Sequence, residues 1–483
     1  MPALDPRRPV HFIGIAGIGM SALALILLER GFRVSGSDQR SNALSAELAA
    51  RGATIHSQQG AATIEALLGQ AGPDPLVITS TAVPSDNPER AAAEAHGLEC
   101  WHRADLLAAL IQQERCIAVA GSHGKTTTST AIATLLLALG RDPSAVIGGV
   151  VPAFGSNGRS GRGGLLVAEA DESDGSLVKF APALGLITNL DLDHTGHYGS
   201  EATLVDTFVE FGRNCEQVLA NADCESLTPA VIERLTREGT GCCCWSVRQE
   251  AMAHYRLVPE QMRADGSRAR WFEGDDLLGE VEIPLLGEHN LSNVAAAMAS
   301  CRELGIPFEG LGQALTELRT PGRRFELRGE VQGRVIVDDY AHHPSEVRAT
   351  LAMARLMQHR PEATSTLPRI PRRVVVVFQP HRYSRMERFL EDFAEALAAA
   401  DAVLIPPLYP AGESPSLSQV DSSSLAERVA SHGCPTTLYR SLENLAVDLM
   451  DVTRPDDLVM VMGAGDVNRL HGLLLDAPLQ LAA

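Results

Sequence analysis

The sequence predicts an α/β protein of three successive units, the outer two Rossmann-like and the central one built around a phosphate-binding loop. Three observations carry this expectation. The chain has 483 residues, which at roughly 150 residues per domain suggests about three domains. Short apolar runs alternate with Ala/Leu-rich stretches throughout. Glycine clusters stand where a strand would turn directly into a helix, at Gly14, Gly17 and Gly19 and again at Gly121 and Gly124. With 45% hydrophobic and 21% charged residues, disordered, collagen-like and coiled-coil chains are excluded.

The elements follow in order. In residues 1–114, Val10–Ile15 reads as a buried strand, the glycine turn leads into a helix through Leu28, and Phe32–Ser37 is the next strand. Leu76–Ile78 and Ala104–Ile111 continue the alternation. Residues 115–321 open with the strand Cys116–Ala120, a glycine loop and a helix to about Leu139. Strands at Leu165–Ala168 and Ala183–Thr188, a hairpin-like region holding Trp245 and Trp271, and a helix from near Asn290 follow. Residues 322–483 carry strands at Val335–Asp338, Val374–Phe378, Ala402–Ile405 and Leu458–Met462, with His359–Arg373 read as a loop.

Charge and composition narrow the partners. A net charge of −19 repels a polyphosphate backbone, and 4% aromatics leave little for base stacking, so no nucleic acid is expected. Arg7 and Arg8 precede an apolar run from Val10 to Leu28 that has the outline of a signal peptide or anchor. Its three glycines, and the arrival of Glu29 and Arg30 before about 20 apolar residues accumulate, argue against both, and no membrane contact is expected. Nine cysteines without metal-site spacing, three of them consecutive at Cys242–Cys244, fit a reducing cytoplasm.

The strongest motif is Gly121-Ser122-His123-Gly124-Lys125-Thr126-Thr127 between a strand and a helix. Backbone N–H groups of such a loop and the helix N-terminus cradle phosphate oxygens, the lysine supplies a compact charge, and the threonine hydroxyl ligates Mg²⁺. Lys125 and Lys179 are the only lysines among 41 basic residues, so a lysine here marks a place where an ammonium and not a planar fork is required. An acidic metal ligand belongs on a neighbouring strand end. Glu169, ahead of Asp171, Glu172 and Asp174, is the first choice. Asn189, Asp191, Asp193 and His194 end another strand, bringing carboxylates and an imidazole to the same sheet edge; Asp174 and Asp191 by themselves read as solvated loop charges. At the first glycine turn, Asp38 lies about 20 residues on, a spacing that by itself favours NAD.

Together with Ala168-Glu-Ala-Asp-Glu-Ser-Asp174, Gly287-Glu-His-Asn-Leu-Ser-Asn293, Gly322-Arg-Arg-Phe325, Asp338-Asp-Tyr-Ala-His-His-Pro344, Phe378-Gln-Pro-His-Arg-Tyr-Ser-Arg385 and Met462-Gly-Ala-Gly-Asp466, the glycine loop resembles the Mur ligases, in family order over nearly the whole chain. The resemblance is greatest to their alanine-adding branch. It implies a cytoplasmic enzyme of peptidoglycan synthesis that uses ATP and Mg²⁺ to join L-alanine to the carboxylate of UDP-N-acetylmuramate, and it is compatible with a homodimer. A ligase adding a whole peptide to the same sugar is the alternative.

The first glycine turn would then hold UDP instead of NAD, with Gly14, Gly17, Gly19, Asp38, Ser80, Thr81 and Arg103 on the UDP-sugar. The loop Gly121, Ser122, His123, Gly124, Lys125, Thr126 and Thr127 would bind ATP, with Thr126, Glu169 and His194 on the metal and His289, Asn290 and Asn293 on adenine. Arg324 would reach the γ-phosphate, and Asp338 or Asp339 would anchor the nucleotide from the third domain. Tyr340, His342, His343, Arg382 and Arg385 would surround the alanine and the reacting carboxylate. Where the family often shows Asp-His-Met-Asp, this chain has Asp193-His194-Thr195-Gly196, one acid fewer, and no lysine follows Lys179 to be carbamylated.

Overall fold

The computed structural model describes residues 4–191, 198–359, 370–415 and 419–476. The first strand, β1 (Val10–Ile13), stops short of Ile15 because Gly14 adopts φ 84° and turns the chain into the helix Ile18–Glu29. With β2 (Val34–Ser37), β3 (Thr54–His56), β4 (Leu76–Thr79) and β5 (Cys100–His102) it forms a parallel sheet of order β3-β2-β1-β4-β5. The order reverses between β1 and β4, so a crevice opens at their C-terminal ends, beside Gly14 and Ser80.

The second sheet comprises β6 (Arg115–Ala120), β7 (Ser144–Val151), β8 (Ser156–Arg159), β9 (Leu165–Glu169), β10 (Leu184–Ile187), β11 (Gln217–Asn221), β12 (Gly241–Ser246), β13 (Tyr255–Arg263), β14 (Gly266–Glu273) and β15 (Asp276–Ile283), in the order β15-β14-β13-β12-β11-β10-β6-β9-β7-β8. β6 lies between β10 and β9, parallel to both, so the loop after Ala120 emerges beside the ends of two acid-bearing strands. The two tryptophans do not share a hairpin: Trp271 is on the antiparallel β13–β15 meander, whereas Trp245 is on β12, which runs parallel to β11. The helix Glu288–Glu303 begins two residues before Asn290 and packs on the helix Lys125–Ala138.

One apolar cluster joins the first two units, running from Met20 and Leu23 to Val146 and Phe180. Asn157 Nδ2 on β8 donates to the Ile18 carbonyl at 2.6 Å and to Ser21 Oγ at 2.9 Å, fixing the helix Ile18–Glu29 on the edge of the second sheet.

The third sheet has the order β16-β17-β21-β18-β19-β20, from β16 (Glu326–Val331), β17 (Arg334–Asp339), β18 (Arg373–Phe378), β19 (Ala402–Ile405), β20 (Thr436–Leu438) and β21 (Asp457–Met462). Only β16 is antiparallel, an edge strand that its mixed Glu, Leu, Arg and Gly composition did not announce. Most of the expected loop His359–Arg373 falls at residues 360–369, outside the described residues, and Arg373 already begins β18. Among the described residues no helix is long and apolar enough to cross a membrane.

Candidate active site

The phosphate loop is shaped by two glycines that no other residue could replace without a clash. At Gly121 (φ 126°) an added Cβ would lie 2.1 Å from Thr188 Oγ1, and at Gly124 (φ 80°) 2.6 Å from Asn293 Oδ1. The loop is braced from the end of β10. Thr188 Oγ1 and Asn189 Nδ2 donate to the His123 carbonyl at 2.6 and 3.0 Å, Asn189 Oδ1 accepts from His123 N at 2.8 Å, and Ser122 Oγ donates to the Asp191 carbonyl at 2.7 Å.

Lys125 Nζ donates to the carbonyls of Gly121 (2.6 Å) and Ser122 (3.1 Å) and to Glu172 Oε2 (2.7 Å). Burial works against its charge, yet the carboxylates of Glu172, Asp171 and Glu169 hold it protonated, above the ordinary lysine range. At the next residue, Thr126 Oγ1 donates to Glu169 Oε1 at 3.2 Å, and Glu169 Oε2 accepts from Gly148 N at 2.9 Å. Two hard oxygen donors thus stand side by side next to the loop, the donor set Mg²⁺ takes. His194 and Asp193 lie outside the described residues.

The loop opens into a cavity of about 370 Å³ shared by the second and third units. His123, Gly124 and Thr127 line it from the loop, His289, Asn290 and Asn293 from the helix Glu288–Glu303, and Arg324, Asp339 and Glu346 from the third unit. Asn293 Oδ1 accepts from Thr128 Oγ1 at 3.1 Å, which couples the expected adenine contact to the loop's own helix. Burial pushes His289 down to about 4, so the ring is neutral.

The two adjacent aspartates of β17 separate by strand alternation. Asp338 pairs with Arg323 at 3.2 Å and Arg328 at 3.3 Å and is not among the cavity residues. Asp339 is: it accepts from Phe325 N at 2.7 Å and Ala341 N at 2.8 Å, and burial raises it to about 6. Arg324 lies over the Tyr340 ring at 4.6 Å, a cation–π contact that helps hold its side chain at the cavity it lines.

Tyr340, His342, His343, Arg382 and Arg385 gather at the ends of β17 and β18. The rings of Tyr340 and His342 are 5.2 Å apart and those of His342 and His381 6.1 Å, and Arg385 Nη1 lies 3.1 Å from His381 Nδ1. Arg382 has φ 68°, a left-handed conformation rare for a side-chain-bearing residue, and its buried Nε has no hydrogen-bond partner.

Against known proteins, residues 9–115 match the Mur ligase family, catalytic domain; residues 119–301 the Mur ligase middle domain; and residues 323–465 the Mur ligase, glutamate ligase domain. The chain belongs to the Mur ligase family. It is 54% identical to the UDP-N-acetylmuramate--L-alanine ligase of Synechococcus sp. (strain RCC307) over 98% of this chain and 96% of that one, and 46% identical to the enzyme of the same name from Synechococcus elongatus over 97% and 96%. The crystal structure of the UDP-N-acetylmuramate-alanine ligase of Thermotoga maritima superposes with a TM-score of 0.79 at 26% identity, covering 98% of this chain and 99% of that one.

In the first domain of this Mur ligase, the residues expected on the UDP-sugar are placed but partly engaged. Asp38 Oδ2 accepts from Ala16 N at 3.0 Å and so ties the glycine turn. Arg103 pairs with Asp171 at 2.7 Å, and its Nη1 stands 3.2 Å from where a Cβ on Gly19 would be. Thr81 Oγ1 donates to Asp174 Oδ2 at 2.8 Å, while the Ser80 carbonyl accepts from Val83 N at 3.0 Å in the turn after β4. Asp174 is therefore not a solvated loop charge: with Asp171 it joins the first domain to the middle one through Arg103. Asp191 faces His123 at 3.3 Å while its side chain stays 44% exposed.

Sequence reasoning missed Glu346, which accepts from His123, His342 and His343. The available signal was Pro344 at a helix start with an acid two residues on; the N-cap position holds His343 where a capping box usually shows Ser or Thr, which hid it. Glu172 was one acid in a row of four, and only the fold shows that it is Lys125's partner.

Proposed function

We propose that this Mur ligase joins L-alanine to the carboxylate of UDP-N-acetylmuramate with hydrolysis of ATP, in peptidoglycan synthesis. One observation carries the reading: Arg324 and Asp339 of the third domain line the same cavity as the phosphate loop of the middle domain, the arrangement a two-domain phosphoryl-transfer site requires. The full-length likeness to alanine ligases supports the choice of amino acid.

A carboxylate is a poor acyl donor, so its oxygen first attacks the γ-phosphorus of ATP and ADP leaves. The alanine amine then attacks the acyl phosphate, and the tetrahedral intermediate expels inorganic phosphate. Charge accumulates on the transferring group, which Lys125 meets from below and Arg324 from the third domain. Gly121 and Gly124 leave the loop's backbone free to approach phosphate oxygens, and the helix Lys125–Ala138 presents its N-terminus there. Thr126 and Glu169 would hold Mg²⁺, which would offset phosphate charge. Neutral His289 with Asn290 and Asn293 suits the uncharged adenine edge. Tyr340, Arg382 and Arg385 form the candidate amino-acid pocket, where a guanidinium can take the alanine carboxylate. Closure of the third domain over the cavity excludes the water that would hydrolyse an acyl phosphate.

The nine cysteines are all free thiols, in keeping with a reducing compartment, and we place the enzyme in the cytoplasm. Phosphate release from ATP, measured with UDP-N-acetylmuramate and each candidate amino acid in turn, tests the proposal. Release that requires both the sugar and L-alanine, with a product of the summed mass less water, is expected. Release with a peptide and none with alanine would favour the peptide-adding reaction.

A further inference from the structure

His123, inside the phosphate loop, has each of its ring nitrogens turned to a carboxylate on a different element. Nδ1 is 3.0 Å from Glu346 Oε1, on the helix Pro344–Leu356 of the third domain, and Nε2 is 3.3 Å from Asp191 Oδ2, just beyond β10. A neutral imidazole carries one N–H and one lone pair, and a lone pair facing a carboxylate oxygen is repelled. The Nδ1 contact is a hydrogen bond, whereas Nε2 meets Asp191 at ion-pair distance without hydrogen-bond alignment, so a positive ring suits both carboxylates better than a neutral one.

Glu346 is itself fixed as a carboxylate. Its Oε2 accepts from the backbone N–H of His342 at 2.9 Å and of His343 at 3.2 Å, and it sits in the first turn of its helix, where the backbone dipole favours negative charge. The other ionisable neighbours are His343, whose ring packs against His123 at 4.6 Å between centroids, His342, 3.2 Å from Glu346, and, around the same cavity, Arg324, His289 and Asp339, the last two also within the field of Glu346. Burial opposes a charged His123, but Glu346 and Asp191 outweigh it and raise the ring to about 10.

We propose that His123 is an imidazolium, a second cation of the phosphate loop beside Lys125, and that Glu346 is the positioning residue that sets its charge and direction when the third domain is docked. The proposal rests on the reading of this cavity as the ATP site. It gives closure an electrostatic consequence: docking the third domain brings one of the two carboxylates that hold the ring charged, so closing and tight nucleotide binding reinforce each other.

The test uses the full-length protein labelled with ¹⁵N in its histidines, with His123→Gln to identify the ring signals. At about pH 8 an ordinary histidine is almost wholly neutral; the His123 ring is expected to show both nitrogens protonated, and Glu346→Gln to return it to ordinary titration. Gln keeps an oxygen for the two backbone N–H groups, and an unchanged far-ultraviolet spectrum checks that the variant folds. Calorimetry with ADP supplies the second arm. Each single variant should weaken ADP about tenfold, as for loss of a hydrogen bond to a charged group, and the double variant should be no weaker than either.

A neutral His123 in the wild-type protein at about pH 8, or additive losses in the double variant, would overturn the proposal. So would tight Zn²⁺ binding with loss of the Nε2 proton, since His123, Asp191 and His343 offer ligand atoms within 4.8 Å of one another. Failure of the wild-type protein to bind ADP at all would instead refute the ATP-site reading, with the ring's protonation still read directly from its own signals.

Discussion

Lys125 Nζ lies 2.7 Å from Oε2 of the buried Glu172, with the Gly121 and Ser122 carbonyls as its other two acceptors. All three ammonium protons are therefore placed by convergent oxygens, a geometry that a planar guanidinium cannot reproduce. Lys125→Arg should lower ligation by more than about 100-fold, on the scale of losing one transition-state charge contact, with little change in the melting temperature. Phosphate-release kinetics and thermal unfolding of the same preparation check this. Unchanged turnover would remove Lys125 from the phosphate site.

The loop's backbone makes a second demand. Gly124 sits at φ 80°, and a methyl group there would meet Asn293 Oδ1 at 2.6 Å. Gly124→Ala would impose left-handed strain of about 1–2 kcal/mol and push on an asparagine that also accepts from Thr128. ADP affinity should fall at least tenfold or so while the fold survives, and calorimetric titration of the variant reads it. By contrast, Gly305→Ala, also left-handed at φ 76° but with open space around its Cβ and outside the cavity, should leave ADP binding alone.

His289 provides a pH signature. Burial lowers its folded-state value to about 4, against the pull of Glu346, while the unfolded chain titrates near 6.5. The unfolded state thus binds more protons between these values, so the cost is absent above about 6.5, grows as pH falls and is complete below about 4. It amounts to at most about 3 kcal/mol. Urea unfolding at about pH 7.5 and about pH 5 should show a smaller acid-induced loss of stability for His289→Gln than for the wild-type protein. Equal losses would mean that the ring is solvated.

What the sequence disclosed was mainly what chemistry forces on a short segment. A lone lysine after a glycine loop, in an Arg-rich chain, could be read because the residue type itself is the signal. The strand before the first glycine turn was read slightly long, since apolar Ile15 continues the hydrophobic run and only the left-handed Gly14 stops it, whereas the strand before Gly121 ends at Ala120 as read. Of the acids at the end of β9 and just beyond it, Glu169 stood out in sequence, but the others did not, and the fold divides them: Glu169 to Thr126, Glu172 to Lys125, and Asp171 and Asp174 to Arg103 in another domain. That partition depends on how two domains sit together, which no local pattern encodes. Asp338 and Asp339 were indistinguishable for a related reason, because alternation fixes that they face opposite sides and not which side holds the cavity.

The candidate amino-acid pocket turns on Arg382. Arg382 follows β18 at φ 68°, its N–H donates to the Tyr409 carbonyl at 2.9 Å, and its buried Nε has no partner. Among the described residues it makes no ion pair, with Glu387 on the following helix or with any other acid. A buried guanidinium donor left unpaired costs about 1–3 kcal/mol or more, and backbone strain of this kind persists where the surroundings enforce it for a purpose. Both are accounted for if an anionic ligand completes the site. Arg382→Ala should then raise the KM for alanine by about tenfold or more, as for loss of a charge-assisted hydrogen bond, and change the KM for ATP little, since the loop around Lys125 is untouched. It should also leave the protein no less stable, because the substitution removes an unsatisfied donor and not a made contact. Steady-state kinetics with each substrate varied in turn separates the outcomes: little change in either KM would make Arg382 a helix-capping residue only, and equal increases would point to a defect in closure of the third domain.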